Sequence, residues 1–184
     1  MEQSDEDIVA LVQHGQKELF GELITRYENK LRRYGQRFLA RTDDITDMVQ
    51  DVFIKSYLHI QSFKTTERFS PWLYRIAHNT FVNELRRQSR FSFLPFEFEG
   101  DVLFPRLVAA ETSDDIALKH ETSDTIERAM KQLNPKEREI IHLAHFEDMT
   151  YEAIADILHI PMSTVGVRLY RAKQKLKPLL EKTV

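Results

Sequence analysis

The segment FSPWLYRIAHNTFVNELRRQSR, residues 69–90, sets Arg75, Asn79, Asn83, Arg86, Arg87 and Arg90 against an apolar stripe of Trp72, Leu73, Ile76, Ala77, Phe81 and Leu85. Arginine offers a planar fork of donors and asparagine a paired donor and acceptor. A face built from these two suits phosphates and base edges, whereas an ordinary solvated helix mixes Glu with Lys. The loop before it, IQSFKTTERFS, sets Lys64 and Arg68 between Phe63 and Phe69, with Ser62 just ahead of them. Such a loop can hold a base drawn out of the stack; the two phenylalanines read equally well as plain core.

A second cluster lies in IPMSTVGVRLYRAKQKL, residues 160–176. Ser163, Thr164, Val165 and Gly166 are small or short and would let a helix backbone come close to a duplex, with free N–H groups favouring phosphate. Arg168 and Arg171 stand three apart and project to nearly the same side. Lys173, Lys175 and Lys177 suit phosphates or water. Thr164 to Val167 are poor helix formers, and Gly166 alone costs about 1 kcal/mol against alanine. The segment is nonetheless read as one helix, with its first turn shaped for closeness rather than propensity.

The elements that must carry these residues are helical by period. Ile8, Leu11 and Val12, then Phe20, Leu23, Ile24, Tyr27 and Leu31, recur at three- and four-residue steps. Asp43 and Asp44 open a helix with Ile45, Met48, Val49, Val52, Phe53 and Tyr57 on its apolar side. Ser70-Pro71 marks the start of the Arg/Asn helix. Asn134-Pro135-Lys136-Glu137 combines a cap, a proline at the first position and a glutamate reaching back. Thr150 caps a short helix, His159 to Met162 makes a tight connection, and Ser163 is placed to cap the basic helix. Two short helices joined by such a turn form a helix-turn-helix. The fold class is therefore all-α. Two small helical domains, 1–90 and 124–184, flank a mostly irregular linker, 91–123. That linker begins FSFLPFEFEGDVLFPRL, too apolar for a solvated spacer, and is expected to dock on its own N-terminal domain or on a partner.

The net charge of −3 conceals segregation. Residues 65–90 carry +3, residues 91–127 carry −7 and residues 163–184 carry +5. Two basic segments around an acidic one point to two anionic contact surfaces. There are no cysteines, which removes disulfides and thiolate zinc sites and fits the cytosol. The acidic start MEQSDED is the reverse of a signal peptide, and no apolar run approaches the roughly 20 residues of a membrane span. His142 and His145 with Glu147 make at most an incomplete metal site. No phosphate loop, nucleophile triad or carboxylate pair is evident. The expectation is a non-enzymatic protein without cofactor or metal. A regulator built on the helix-turn-helix alone is the rival reading.

Taken together, DITDMVQDVFIKSYLHIQSF, FSPWLYRIAHNTFVNELRR, LNPKEREIIHL and MTYEAIADILHIPMSTVGVRLYRAKQKL resemble an extracytoplasmic-function (ECF) sigma factor of bacterial RNA polymerase. The likeness covers residues 5–90 and 125–180 in the family's order. It implies a cytoplasmic transcription initiation factor whose partners are core RNA polymerase, promoter DNA in duplex and single-stranded form, and an anti-sigma factor. In the N-terminal sigma-two domain, Asp47, Gln50, Asp51, Phe53 and Ile54 would grip the polymerase. Ser62, Phe63, Lys64, Arg68, Phe69, Arg75, Asn79, Asn83, Arg86 and Arg87 would face the minus-ten element, the loop trapping a flipped base. In the C-terminal sigma-four domain, Ser163, Thr164, Val165, Arg168, Arg171 and Lys175 would meet the minus-35 element. The acidic linker would thread the polymerase's positive channels, and promoter opening would need no ATP. The chain departs from the family at Gly166 and Val167, where a basic or polar and a small polar residue are usual. A basic side chain at 166 is expected to tighten promoter binding.

Overall fold

Ser4 closes the first turn of the first helix, α1 (Asp5–Gln13): the Asp7 N–H donates to its Oγ at 3.1 Å, and the Asp7 carboxylate returns to the Ser4 backbone. Such a box satisfies two otherwise orphaned donors. In this computed structural model, which describes residues 3–39, 41–91, 129–130 and 132–180, all regular structure among the described residues is helical. The chain divides into two compact units.

In the N-terminal unit a short 3₁₀ turn, Lys17–Leu19, leads into α2 (Phe20–Gly35). There follow α3 (Thr42–His59), a second 3₁₀ turn (Ile60–Ser62) and α4 (Phe69–Phe91). Phe20, Leu23, Tyr27, Leu31 and Tyr34 are buried at three- and four-residue spacing along α2. An aromatic cluster joins this stripe to α4: Tyr34 lies edge-on to Tyr74 and Phe81, and Phe38 stacks on Phe81 with centroids 5.6 Å apart. Gly35 makes that approach possible, since a Cβ there would stand 2.6 Å from the Phe81 ring.

Polar side chains of α1 then fasten the connection between α3 and α4, and α2 besides. Gln13 donates to the carbonyls of Ile60 and Phe63 at 2.7 and 2.8 Å. Glu6 accepts the Phe69 N–H at 2.8 Å, supplying a carboxylate where the first turn of α4 has a free donor and a positive dipole end. Asp5 takes the Tyr27 hydroxyl and, at 2.7 Å, Arg26. Burial, with the Asp5 carboxylate beside it, pushes the Tyr27 hydroxyl well above the ordinary tyrosine range.

The C-terminal unit contains α5 (Pro135–Ile141), a π-type turn (His142–Phe146), α6 (Tyr151–Leu158) and α7 (Met162–Leu180). Asn134 and Glu137 form the expected capping box, and Thr150 accepts the Ala153 N–H. His159 takes the left-handed conformation, φ 53°, and ends α6. Ser163 does not cap α7, however. The Pro161 carbonyl accepts the Thr164 and Val165 N–H groups, so the helix starts at Met162 and Ser163 sits inside its first turn. Leu143, Ile154, Ile157, Val165, Leu169 and Ala172 form the core. The linker expected beyond Phe91 lies outside the described residues, and so does any docking of its phenylalanines.

Gly35→Ala is expected to weaken the N-terminal unit by about 1–3 kcal/mol through overpacking. Gly21→Ala, where nothing lies within 4 Å of the added carbon, should be neutral or stabilising. Trp72 is the only tryptophan in the chain, so urea unfolding followed by its fluorescence reads this unit alone.

Candidate nucleic-acid and polymerase interfaces

Packing of one face decides what the other presents. On α3, Ile45, Val49, Val52 and Phe53 turn inward, and Asp47, Gln50, Asp51 and Ile54 run along the opposite side. Ile54 is 57% exposed, and Leu58, one turn further on, is 70% exposed. Phe53 corrects the sequence reading. It is buried, edge-on to Phe20 with centroids 6.4 Å apart, and belongs to the core rather than to a contact surface. Leu58 was missed, although its four-residue step from Ile54 places it on the same stripe. Two exposed aliphatics beside Asp47, Gln50 and Asp51 are suited to a contact that is both apolar and basic.

On α4 the buried side is Leu73, Tyr74, Ala77, Phe81 and Leu85. Asn79, Asn83 and Arg86 are exposed and Arg75 is half-buried; helical geometry puts all four on one face. Arg87 is exposed too, but it clasps Glu84 through two 2.7 Å bonds. Those bonds hold the Glu84 carboxyl below its usual range and raise the arginine. Gln88 bonds Glu84 and reaches Asp44 on α3. Arg87 thus stands in a polar clasp to the side of the Arg75–Asn79–Asn83–Arg86 row.

The loop between α3 and α4 resolves the alternative left open for its phenylalanines. Phe63 and Phe69 are buried and pack on one another at 5.8 Å, and Phe69 also meets Tyr27. They are core, so neither ring faces solvent to stack on a base. Trp72, expected to be buried, is instead half-buried, lying 5.2 Å from Phe63 and 5.6 Å from Phe69 between centroids. Ile76 is likewise only half-buried. The indole shares the face of Arg75 and Asn79 and sits on a rigid aromatic floor, the arrangement a stacking platform needs. Ser62, Lys64 and Arg68 are exposed at the rim. A turn closed by the Glu67 N–H donating to the Lys64 carbonyl at 2.8 Å holds the loop in shape.

On α7, Ser163 and Arg171 are exposed, and Thr164 and Arg168 half-buried. Val165 is fully buried and cannot touch DNA; its spacing from Leu169, Ala172 and Leu176 places it on the inner stripe. Lys175 is diverted as well. Its ammonium lies 2.8 Å from both oxygens of the buried Glu137 carboxylate, joining α7 to α5. Val167, noted in the sequence only as a departure, and Tyr170, absent from the sequence reading of this surface, stand 51% and 65% exposed. Of the two histidines considered as ligands, His142 is buried 3.3 Å from Glu147 and His145 is exposed. Among the described residues no group of three or more His, Asp or Glu is placed to hold a metal.

Comparison with known proteins assigns these two units. Residues 23–91 match the family model for sigma-70 region 2, and residues 123–176 that for sigma-70 region 4. The ECF RNA polymerase sigma factor SigW of Bacillus subtilis is 30% identical over 92% of this chain and 92% of its own. The ECF sigma-E factor of Haemophilus influenzae is 34% identical over 96% of this chain and 97% of its own. The chain belongs to the ECF sigma factors. Sigma factors are transcription initiation factors, not enzymes; they bind core RNA polymerase and promoter DNA. Two solved structures share the fold, each with a TM-score of 0.65. CnrH bound to the cytosolic domain of CnrY is 22% identical, covering 98% of this chain and 99% of CnrH. RpoE of Bartonella quintana bound to the anti-sigma factor NepR is 23% identical, covering 88% of this chain and 96% of RpoE. Among the described residues of this sigma factor, no helix is long and apolar enough to cross a membrane.

Lys175→Ala should lower the stability of the C-terminal unit by about 1 kcal/mol, because it leaves the buried Glu137 carboxylate without its cation. Lys173→Ala, at an exposed position two residues away, should leave the melting curve unchanged. Thermal unfolding followed by circular dichroism separates the two.

Proposed function

We propose that the exposed rows of α3, α4 and α7 divide the work of initiation among them, in a factor acting in the cytoplasm. The N-terminal domain, residues 1–90, holds core polymerase through Asp47, Gln50, Asp51 and Ile54, extended by Leu58. Its α4 face, Arg75, Asn79, Asn83 and Arg86, reads the minus-ten element. Ser62, Lys64 and Arg68 border a base drawn out of the duplex, with Trp72 as the surface on which it stacks. The C-terminal domain, residues 124–184, reads the minus-35 element with Ser163, Thr164, Arg168 and Arg171, and residues 91–123 connect the two. The observation that carries this reading is the α4 face: amide and guanidinium groups in line with a half-exposed indole supply readout, phosphate contact and stacking along one strand.

An anti-sigma factor holds the protein in reserve until a signal releases it. Support comes from CnrH and RpoE, both of the same fold and both captured in complexes, the second with an anti-sigma factor by name. Unpairing of the promoter is offset by binding of the separated strand, so no nucleotide hydrolysis is required.

Reconstitution with core polymerase tests this assignment. Asn79→Ala should reduce permanganate reactivity of minus-ten thymines while leaving protection over minus-35 in place. Arg171→Ala should lower transcription about tenfold or more, the worth of one good arginine–base contact, with co-purification of core unchanged. Loss of core binding in either variant would contradict the division of roles, and a wild-type chain that never co-purifies with core would remove it altogether.

A further inference from the structure

The outward line of α7 is apolar at its centre. Val165, Leu169, Ala172 and Leu176 are buried, and a helical repeat of 3.6 residues then sets Val167 directly opposite them. Ser163 lies one turn before it and Arg171 one turn after. Val167 is 51% exposed, and its neighbour on the same side, Tyr170, 65%. The fold gains nothing from a valine there. A β-branched side chain disfavours a helix, and exposure denies it the compensation of burial. Gly166 beside it is poorer still, and no crowding demands it: an added Cβ would meet only the Tyr151 ring, at 3.8 Å.

What surrounds this apolar point is strongly basic, residues 163–184 carrying a net charge of +5. A polyanion with an apolar feature at the matching place satisfies both properties. In the major groove the C5-methyl of thymine is the one such feature; every other edge presents donors and acceptors. A valine pressed on those polar edges would strip their water and return no hydrogen bond. Pressed on a methyl group, it buries hydrocarbon on both sides. Absence of a side chain at Gly166 allows the backbone close enough for so short a residue to reach.

We infer that Val167 is a specificity-determining residue that reads the C5-methyl group of a thymine in the minus-35 element, with Gly166 providing the close approach, an approach that a basic side chain at 166 would obstruct, contrary to the expectation from sequence. The inference rests on the proposed entry of α7 into the minus-35 major groove, and extends it to a chemical group on the DNA.

The test uses holoenzyme made from the full chain and core RNA polymerase, and duplex promoters recovered by transcription from a randomised library. Each minus-35 thymine is then replaced in turn by deoxyuridine, which removes the methyl and nothing else. At one position, open-complex formation should fall about three- to fivefold, the worth of one buried methyl. In Val167→Ala holoenzyme that same replacement should have no effect, while replacements elsewhere behave as in wild type. Alanine is a good helix former at an exposed site, so the variant should melt no lower than wild type. Recovered promoters with no minus-35 thymine overturn the inference. So does indifference to every replacement, or a penalty that persists undiminished in Val167→Ala. In each of those cases specific transcription still stands, and the sigma-factor reading with it. Failure to recover any promoter overturns that reading first, and the inference with it.

Discussion

A side-chain carbon at Gly35 would overlap the Phe81 ring, at 2.6 Å from Cζ and 3.1 Å from Ile45 Cγ2. The contact between α2 and α4 is set by that missing atom. It lets Phe81 seat between Tyr34 and Phe38, which draws Leu73, Tyr74 and Ala77 into the same core. Once those positions are committed inward, the pitch of α4 leaves no freedom over what points out. Asn79, Asn83 and Arg86 face solvent because Ala77, Phe81 and Leu85 do not. The face proposed to meet nucleic acid is in this sense a by-product of aromatic packing on the far side. A loss of register in the core would rotate every amide and guanidinium out of that row.

Carboxylates do a different job from the one that a net charge of −3 implies. Glu6 sits at the start of α4, Asp5 receives Tyr27 and Arg26, Glu84 clasps Arg87, and Glu137 receives Lys175. Each is engaged in an internal contact, at a helix end, between helices or, for Glu84, along one helix, and a charge-assisted bond of this kind holds structure rather than adding to surface charge. Arg171 and Lys173, by contrast, stand exposed on α7. Partition of this kind lets a chain with more acidic than basic residues present basic surfaces where nucleic acid is met, because field at close range follows local charge rather than the sum.

Helix ends are legible in the sequence because a cap is a local event, complete within four residues: Asn134 to Glu137 and Thr150 to Ala153 need no knowledge of the rest of the fold. The class of fold and the two reading helices follow from periodicity for the same reason. Burial of particular residues is different, since it depends on which neighbouring helix arrives and where. Phe53 sits at the edge of its stripe, and the seating of Phe20 against it completes its burial; Val165 lies mid-stripe with Leu169 and Ala172, where its spacing already turns it inward. Lys175 looks like one of a row of lysines until Glu137 is brought to it by a helix 38 positions earlier in the chain. Trp72 errs the other way: its spacing says core, yet Phe63 and Phe69 already fill the space beneath it and leave the indole half outside. Ser163 has the right chemistry for a cap, but Pro161 offers its carbonyl two residues earlier.

Gly166 and Val167 bring these strands together. Local propensity argues against both in a helix, and the structure offers neither a steric reason for the glycine nor a burial reason for the valine. Helices tolerate such residues when tertiary packing supplies the stability that propensity withholds. α7 has that support along its inner side, from Val165 to Leu176, and an ion pair to α5 besides. The cost of two poor helix formers, of order 1 kcal/mol, is therefore absorbed by the core of the domain. The outer surface is left free to be chosen for contact. That freedom is greatest at the middle of the outward line, furthest from the packed side. The puzzle of a strand-like run inside a basic helix thus resolves into a division of labour within one element: one side holds the fold, and the other is shaped by what it must touch.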